Sequence, residues 1–221
     1  MTFALVFLAI IMATVIGWLL LQTLNTQPWD ANDPLENQPG RGVINIEPAK
    51  VGLLSLIAVV TSLFALFLSA YMMRMKFGDW HPLAEPTVLW LNTGILVLAS
   101  VAFQLTLGAA KREQLPKVKV GLAVGGACTI LFLLGQLVAW RQLNADGFFM
   151  NGNPANSFFY LLTALHGLHL LGGMWVWGRT TVRLLTGASA TSVRLSVELC
   201  TVYWHYLLLV WVGLFAVLLS T

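Results

Sequence analysis

Long apolar runs dominate this chain. Six of them reach the length of about 20 residues that a helix needs to cross a bilayer core of about 30 Å. They lie at residues 2–24, 51–73, 87–110, 120–140, 156–178 and 197–220. None has the alternation of a barrel strand, and lipid leaves no backbone group unpaired, so each run predicts a helix. The pattern predicts an all-α integral membrane protein, a bundle of six transmembrane helices.

The segments between the runs are rich in proline, glycine and charge. The longest is 25–50, a short proline-containing one lies at 78–86, and a basic one lies at 111–119. Neither an internal repeat nor a low-complexity segment divides the chain. We therefore predict one membrane assembly in two parts: residues 1–50, a helix and its following loop, and residues 51–221, a five-helix core.

The first apolar run raises the question of a signal peptide. A signal peptide begins with a basic segment and ends at a small-residue cleavage site. No Lys or Arg precedes Arg41, and the run has the length of a membrane span. We therefore predict a retained helix.

The distribution of basic residues predicts the orientation. Cytoplasmic loops are enriched in Lys and Arg. The first, third and fifth connections carry two, four and three such residues, and the second and fourth carry two and one. The odd connections are therefore predicted to be cytoplasmic, with both termini on the outer, periplasmic side.

Composition supports lipid as the solvent. Of 221 residues, 58% are hydrophobic and 10% are charged, whereas a soluble domain carries about 25% charged residues. The net charge of +3 is small and comes from the loops, so nothing indicates a nucleic-acid partner. Cys128 and Cys200 lie inside apolar runs without a Cys-x-x-Cys motif, so we interpret them as packing residues.

Four ionisable residues lie inside predicted spans. They are His166 and His169 in the fifth span, and Glu198 and His205 in the sixth. Such residues are costly in lipid and are functional candidates. At about 1.5 Å per residue, the three histidines lie roughly 12–20 Å from a span end, near the midplane.

Three midplane histidines allow three interpretations. Neutral imidazole is a common metal or haem ligand, but no Cys, Asp, Glu or Met at that depth completes a ligand set. A proton relay needs carboxylates, and only Glu198, near a span end, is available. We favour structural hydrogen bonds and expect all three rings to be buried and bonded. Asn92, Gln104 and Gln136 are likewise predicted to form interhelix hydrogen bonds.

Three segments carry a resemblance to a known family. The first fits the pattern T-G-x-H-G-x-H-x-x-x-G with one departure, at Ala164, and two phenylalanines precede it; its residues are Phe158, Phe159, Thr163, His166, Gly167, His169 and Gly173. The second consists of Glu198, Tyr203, Trp204, His205, Tyr206 and Trp211. The third consists of Trp80, Pro82, Pro86, Leu91, Asn92 and Thr93. Together they make residues 51–221 resemble subunit III of the haem–copper respiratory oxidases.

The resemblance implies a function without redox chemistry in this chain. Haem and copper belong to subunits I and II, and subunit III supports the stability of subunit I, holds structural phospholipid and sustains proton uptake. The implied partners are subunits I and II, membrane lipids and, indirectly, cytochrome c or quinol, in the cell (inner) membrane. The implied lipid ligands are His169 and Arg183, and the implied structural residues are His166, Glu198, Tyr203, Trp204, His205 and Asn92.

The sequence also departs from the family. Many members have an intramembrane Glu where this chain has Val60, and an Asp where it has Leu208. Seven spans are common in the family, and the first span here best matches the family's second helix. A subunit of a quinol oxidase, a homologue associated with nitric oxide reductase, a small di-haem cytochrome and a transporter remain as alternatives.

Overall fold

The structure, a computed structural model, describes residues 47–81 and 87–219. They form five α-helices: α1 (Pro48–Arg74), α2 (Val88–Lys111), α3 (Leu115–Ala145), α4 (Pro154–Leu185) and α5 (Ala190–Leu219). Each contains a stretch long and apolar enough to cross a membrane. The all-α membrane fold is confirmed for these residues. The sixth predicted span, at 2–24, lies outside the described residues, so the six-span count stays a prediction.

All of these helices except α2 are longer than the apolar runs that predicted them. Helix α3 has 31 residues and α4 has 32, or about 46–48 Å at 1.5 Å per residue. The apolar run marks only the part that faces hydrocarbon, whereas backbone hydrogen bonding continues into the headgroup region. The predicted basic loop at 111–119 is therefore wrong in extent, because α3 begins at Leu115 with a proline in its first turn.

Three helices end in the same left-handed turn. The backbone φ angles are +57° at Glu113, +85° at Gly147 and +101° at Gly187, beyond the ends of α2, α3 and α4 respectively. The N–H of the residue that follows each one donates to a carbonyl five residues earlier. This geometry satisfies carbonyls that a helix end leaves free, and it favours glycine. The turns keep the connections short, so successive helices run antiparallel.

The described chain falls into two compact units, one up to Ser69 and one from Ala70 onwards. In the second unit, α2 packs against α3 and α5, and α4 packs against the same two helices. The four helices therefore form a ring in chain order. The predicted boundary between residues 50 and 51 stays a prediction.

Glycines in α3 allow close contact inside this ring. A Cβ atom at Gly121 would lie 2.0 Å from Thr106 Oγ1, and one at Gly126 would lie 2.1 Å from a ring carbon of Trp177. Small residues let membrane helices approach closely. The contacts fix α3 between α2 and α4.

The N-terminal end of α4 is anchored by its N-cap. The Asn153 side chain accepts a hydrogen bond from the Ala155 N–H at 3.1 Å, and its amide donates to the His81 carbonyl at 2.6 Å. Phe158, in the first turns of α4, packs edge-on against Tyr71. Beside this region Arg74 donates hydrogen bonds to Asp79, which holds the pKa of that carboxyl below its ordinary value.

Candidate functional site

His166 lies at the centre of the four-helix ring. The His166 imidazole is fully buried, and its Nε2–H donates to the Leu207 carbonyl of α5 at 3.1 Å. Phe132 of α3 and Trp211 of α5 flank it at centroid distances of 5.6 and 5.1 Å. The expected burial and hydrogen bonding are confirmed for this histidine. Its role in these contacts is to join α4 to α5.

His169 is only half-buried, so the expectation of burial was too strong. Its Nδ1–H donates to the Leu165 carbonyl of its own helix at 2.7 Å. The backbone of His169, rather than its side chain, contacts α5: the Tyr203 hydroxyl donates to the His169 carbonyl at 3.2 Å. Burial was overestimated because depth along a helix axis does not fix which face a side chain occupies.

His205 is exposed on the outside of the ring, which contradicts the expected burial. It is hydrogen-bonded nonetheless: its ring contacts Gln104 Oε1 at 3.0 Å and the Ser100 hydroxyl, both on α2. The expectation that Gln104 bonds a neighbouring helix is thus confirmed. The prediction placed His205 on the wrong face of α5, because neighbouring positions on a helix point in different directions. Trp204, the preceding residue, is buried.

Pairs of tryptophan and threonine link the helices, and the sequence did not reveal them. In each, an indole N–H donates to a threonine hydroxyl, and that hydroxyl donates to a carbonyl four residues earlier in its own helix. The pairs are Trp204–Thr129 at 2.9 Å, Trp211–Thr93 at 2.9 Å and Trp140–Thr163 at 3.1 Å. The available signal was a threonine inside each apolar run, which gave no indication of its partner.

Two buried amides differ in their bonding from what was expected. Neither polar atom of the Gln136 side chain has a hydrogen-bond partner among the described residues, so the predicted interhelix bond is wrong there. The Asn92 Nδ2 atom is also buried without a partner in this part of the chain. Asn92 instead packs against Gly135, where a Cβ atom would lie 2.0 Å from Asn92 Oδ1.

The remaining candidates lie towards the predicted cytoplasmic ends. Arg183 is exposed in the last turn of α4, and Glu198 is half-buried in α5. His169 and Arg183 are fourteen residues apart on α4, or about 21 Å, so they do not form one compact site. Cys128 and Cys200 are free thiols on different helices.

The polar residues of the described chain do not form a metal centre. No three His, Cys, Asp or Glu side chains in residues 47–81 and 87–219 come together in a group that could hold a metal ion. His166 faces α5 from inside the ring, whereas His205 faces α2 from outside it. The arrangement holds helices together through hydrogen bonds.

The sequence matches a family model over most of its length. Residues 50–220 match the model for cytochrome c oxidase subunit III. The chain belongs to this family. It is therefore a multi-pass membrane subunit of a haem–copper oxidase, and its partners are other subunits of that complex.

Relatives bear similar names. A probable cytochrome c oxidase subunit 3 of Mycobacterium bovis is 31% identical over 165 residues, covering 71% of this chain and 77% of the relative. Cytochrome c oxidase subunit 3 of Corynebacterium diphtheriae is 27% identical over 157 residues, 69% and 76% of the two chains. A cytochrome bo(3) ubiquinol oxidase subunit 3 of Buchnera aphidicola is 26% identical over 137 residues, 62% and 70% of the two chains.

The family motif divides between two faces of α5. Tyr203, Trp204 and Trp211 are buried and face the ring. His205, inside the same motif, faces outwards.

Proposed function

We propose that this chain is a non-catalytic structural subunit III of a proton-translocating terminal oxidase in aerobic respiration. In this proposal it stabilises subunit I, holds phospholipid and sustains proton uptake. It carries neither haem nor copper, which subunits I and II hold. Val60 and Leu208 stand where many family members have acids, so the chain supports proton uptake without those two carboxylates.

One observation carries this proposal. Of the three motif histidines, His166 and His205 form hydrogen bonds between helices, and His169 bonds a carbonyl of its own helix. His166 Nε2 bonds a backbone carbonyl of α5, and the indole of Trp204 bonds Thr129. The other nitrogen of His166, Nδ1, is buried without a partner, but no group of three His, Cys, Asp or Glu side chains in the described part of the chain comes together to hold a metal ion.

Cytochrome c is the electron donor that we favour for the complex. The alignments to relatives named cytochrome c oxidase subunit 3 cover about three quarters of the length of each relative. A quinol oxidase subunit is the second candidate, and the Buchnera relative named as such supports it. An association with nitric oxide reductase remains a further alternative.

The proposed topology has six spans, with both termini on the periplasmic side of the cell (inner) membrane. Residues 1–50 form the first span and a cytoplasmic loop, and residues 51–221 form the five-helix core. Basic residues at the ends of α2 and α4 and the beginnings of α3 and α5 support this orientation, since such residues concentrate on the cytoplasmic side.

The proposed lipid site lies along α4. A guanidinium near the inner surface can pair bidentately with a phosphate, and its apolar stem can lie along the helix end. Arg183 is exposed in the last turn of α4 and meets this requirement. An acyl chain running from it towards the midplane passes the depth of the half-buried His169, about 21 Å away.

The test of the proposed function is purification of the complex through a tag on this chain. The proteins that co-purify should include a haem-bearing subunit I and a copper-bearing subunit II. Oxidation of reduced cytochrome c, or of a quinol, by that preparation then identifies the donor. A tagged chain that yields no oxidase subunit from membranes with active oxidase would contradict the proposal.

A further inference from the structure

Three side chains inside the four-helix ring have buried polar atoms without a hydrogen-bond partner among the described residues. They are Asn92 on α2, Gln136 on α3 and His166 on α4, with exposed fractions of 1%, 5% and 0%. The atoms concerned are Asn92 Nδ2, both polar atoms of the Gln136 side chain, and His166 Nδ1. Native proteins leave few buried polar atoms unpaired, so a group of them needs an explanation.

The packing of α3 on α4 brings Gln136 to the level of His166. Phe132 of α3 contacts the His166 imidazole at a centroid distance of 5.6 Å. Gln136 follows one turn later on the same face of α3, because positions four apart share a face. One further turn along, Trp140 donates to Thr163, which lies three residues before His166 on α4. Gln136 therefore lies between two points at which α3 contacts the His166 face of α4.

Asn92 reaches the same level from α2. Its Oδ1 atom lies 2.0 Å from the place that a Cβ atom of Gly135 would take, so this side chain packs on the α3 backbone next to the buried glutamine. The adjacent residue, Thr93, accepts from the Trp211 indole at 2.9 Å, and that indole packs against the buried imidazole of α4 at 5.1 Å. The three side chains thus lie within about one helical turn of one another along the bundle.

The unpaired atoms include both donors and acceptors. The His166 Nε2–H donates to the Leu207 carbonyl, so Nδ1 of the neutral imidazole is an acceptor. Each amide nitrogen carries N–H donors, and the Gln136 oxygen is a second acceptor. Although they lie at one level, none of these atoms forms a hydrogen bond with another. A molecule that bridges them must therefore both accept and donate.

Water meets this requirement. A buried water molecule typically makes about three hydrogen bonds to polar groups that are otherwise unpaired. A cation would be repelled by the amide N–H groups, and an anion would find no donor on the imidazole Nδ1 or the amide oxygen. Each polar group left unpaired in the membrane interior costs on the order of several kcal/mol, so bound water removes a large penalty.

We propose that ordered water is bound inside the four-helix ring, between Asn92, Gln136 and His166. The water accepts from the two amide nitrogens and donates to Gln136 Oε1 and His166 Nδ1. It joins α2, α3 and α4 at one level through side chains that do not bond one another directly. The inference concerns the interior of this chain and does not depend on the proposed function.

The direct test is a density map of the complex purified through this chain, at a resolution that shows ordered water. A peak should lie about 2.7–3.2 Å from polar atoms of at least two of the three side chains. The Trp204–Thr129 pair, whose atoms bond each other at 2.9 Å, is the internal control and should show no peak between them. Direct bonds from Asn92 to Gln136 and from Gln136 to His166, with no peak between them, would overturn the proposal. A peak with the shape of a larger ligand would also overturn it.

Hydroxyl-radical footprinting with X-rays gives an independent test. Radicals formed from bound water oxidise the side chains beside it, so Phe132 should be oxidised several-fold faster than Phe103. Both are buried inside the ring, with exposed fractions of 1% and 0%. Gln136→Met keeps the approximate shape of the side chain and removes its hydrogen bonds. It should lower the rate at Phe132 and leave the rate at Phe103 unchanged. Equal rates at the two phenylalanines in the wild-type complex would contradict the proposal, whether or not the variant assembles.

Discussion

At the scale of single residues, hydroxyl groups hold this bundle together as much as the histidines do. Thr129 accepts from the Trp204 indole at 2.9 Å and donates to the Gly125 carbonyl at 2.8 Å. The sequence identified Trp204, His166 and Thr93 through family patterns, but it did not identify Thr129, and it did not indicate which indole contacts either threonine. A threonine inside an apolar run looks the same whether or not an indole reaches it, because the partner is chosen by the packing of another helix.

Thr129→Val tests this network. Valine keeps the shape and removes the acceptor, so the buried indole N–H of Trp204 loses its partner. Stability of the solubilised chain in its complex should fall by about 1 kcal/mol, measured as the loss of folded complex in thermal or SDS titration. Thr181→Val is the control, because the Thr181 hydroxyl is buried without a partner among the described residues and its loss should be neutral. Equal effects of the two changes would contradict the account.

Arg183→Ala tests the proposed lipid site. Removing the guanidinium should lower the phospholipid retained after purification and shorten the working life of the oxidase. The initial turnover rate should fall much less, since the proposal assigns no redox centre to this chain. Arg179→Ala, also exposed and one turn earlier on α4, is the control for charge. If the two variants retain the same amount of phospholipid and give the same working life, Arg183 serves only as a basic residue that sets the membrane orientation.

At the scale of elements, apolar runs predicted which helices exist but not where they end. Gly147 and Gly187 lie in the left-handed turns after α3 and α4, and glycine near a helix end is a readable signal. The same turn after α2 is made by Glu113, which no sequence rule for helix ends favours. The α2–α3 connection was therefore predicted to be longer than it is.

Glu113→Gly should stabilise the α2–α3 connection. A non-glycine residue in the left-handed region costs on the order of 1 kcal/mol, and glycine removes that cost in the native turn. Resistance of the complex to thermal unfolding should rise, and Glu113→Ala, which removes the carboxylate but not the strain, should not reproduce the gain. A loss of stability in Glu113→Gly would show that the carboxylate has a contact of its own.

At the scale of the whole molecule, the sequence predicted the fold class and the family. It did not predict which face of each helix lies towards the interior of the bundle. Hydropathy reports how long a segment stays apolar, which fixes its depth along the membrane normal. Rotation about the helix axis depends on packing with other helices. His166 and His205 were both placed near the midplane, yet one lies inside the ring and the other outside it.

The predicted orientation can be tested with single cysteines. Phe149→Cys lies in the exposed connection between α3 and α4, and Ser189→Cys lies in the one between α4 and α5. A membrane-impermeant thiol reagent should label Phe149→Cys on intact cells or spheroplasts and Ser189→Cys only after the membrane is opened, because basic residues near the second connection favour the cytoplasm. The reverse labelling would invert the topology.

The central claim is that this chain supports an oxidase without holding its redox centres. It is tested most directly by purifying the complex through this chain, separating the subunits in mild detergent and recording absorption spectra of each fraction. The account predicts a haem Soret band in the intact complex and in the fraction with its largest partner, and none in the fraction containing this chain alone. A Soret band that stays with this chain, and is lost in His166→Leu or His205→Leu, would contradict it.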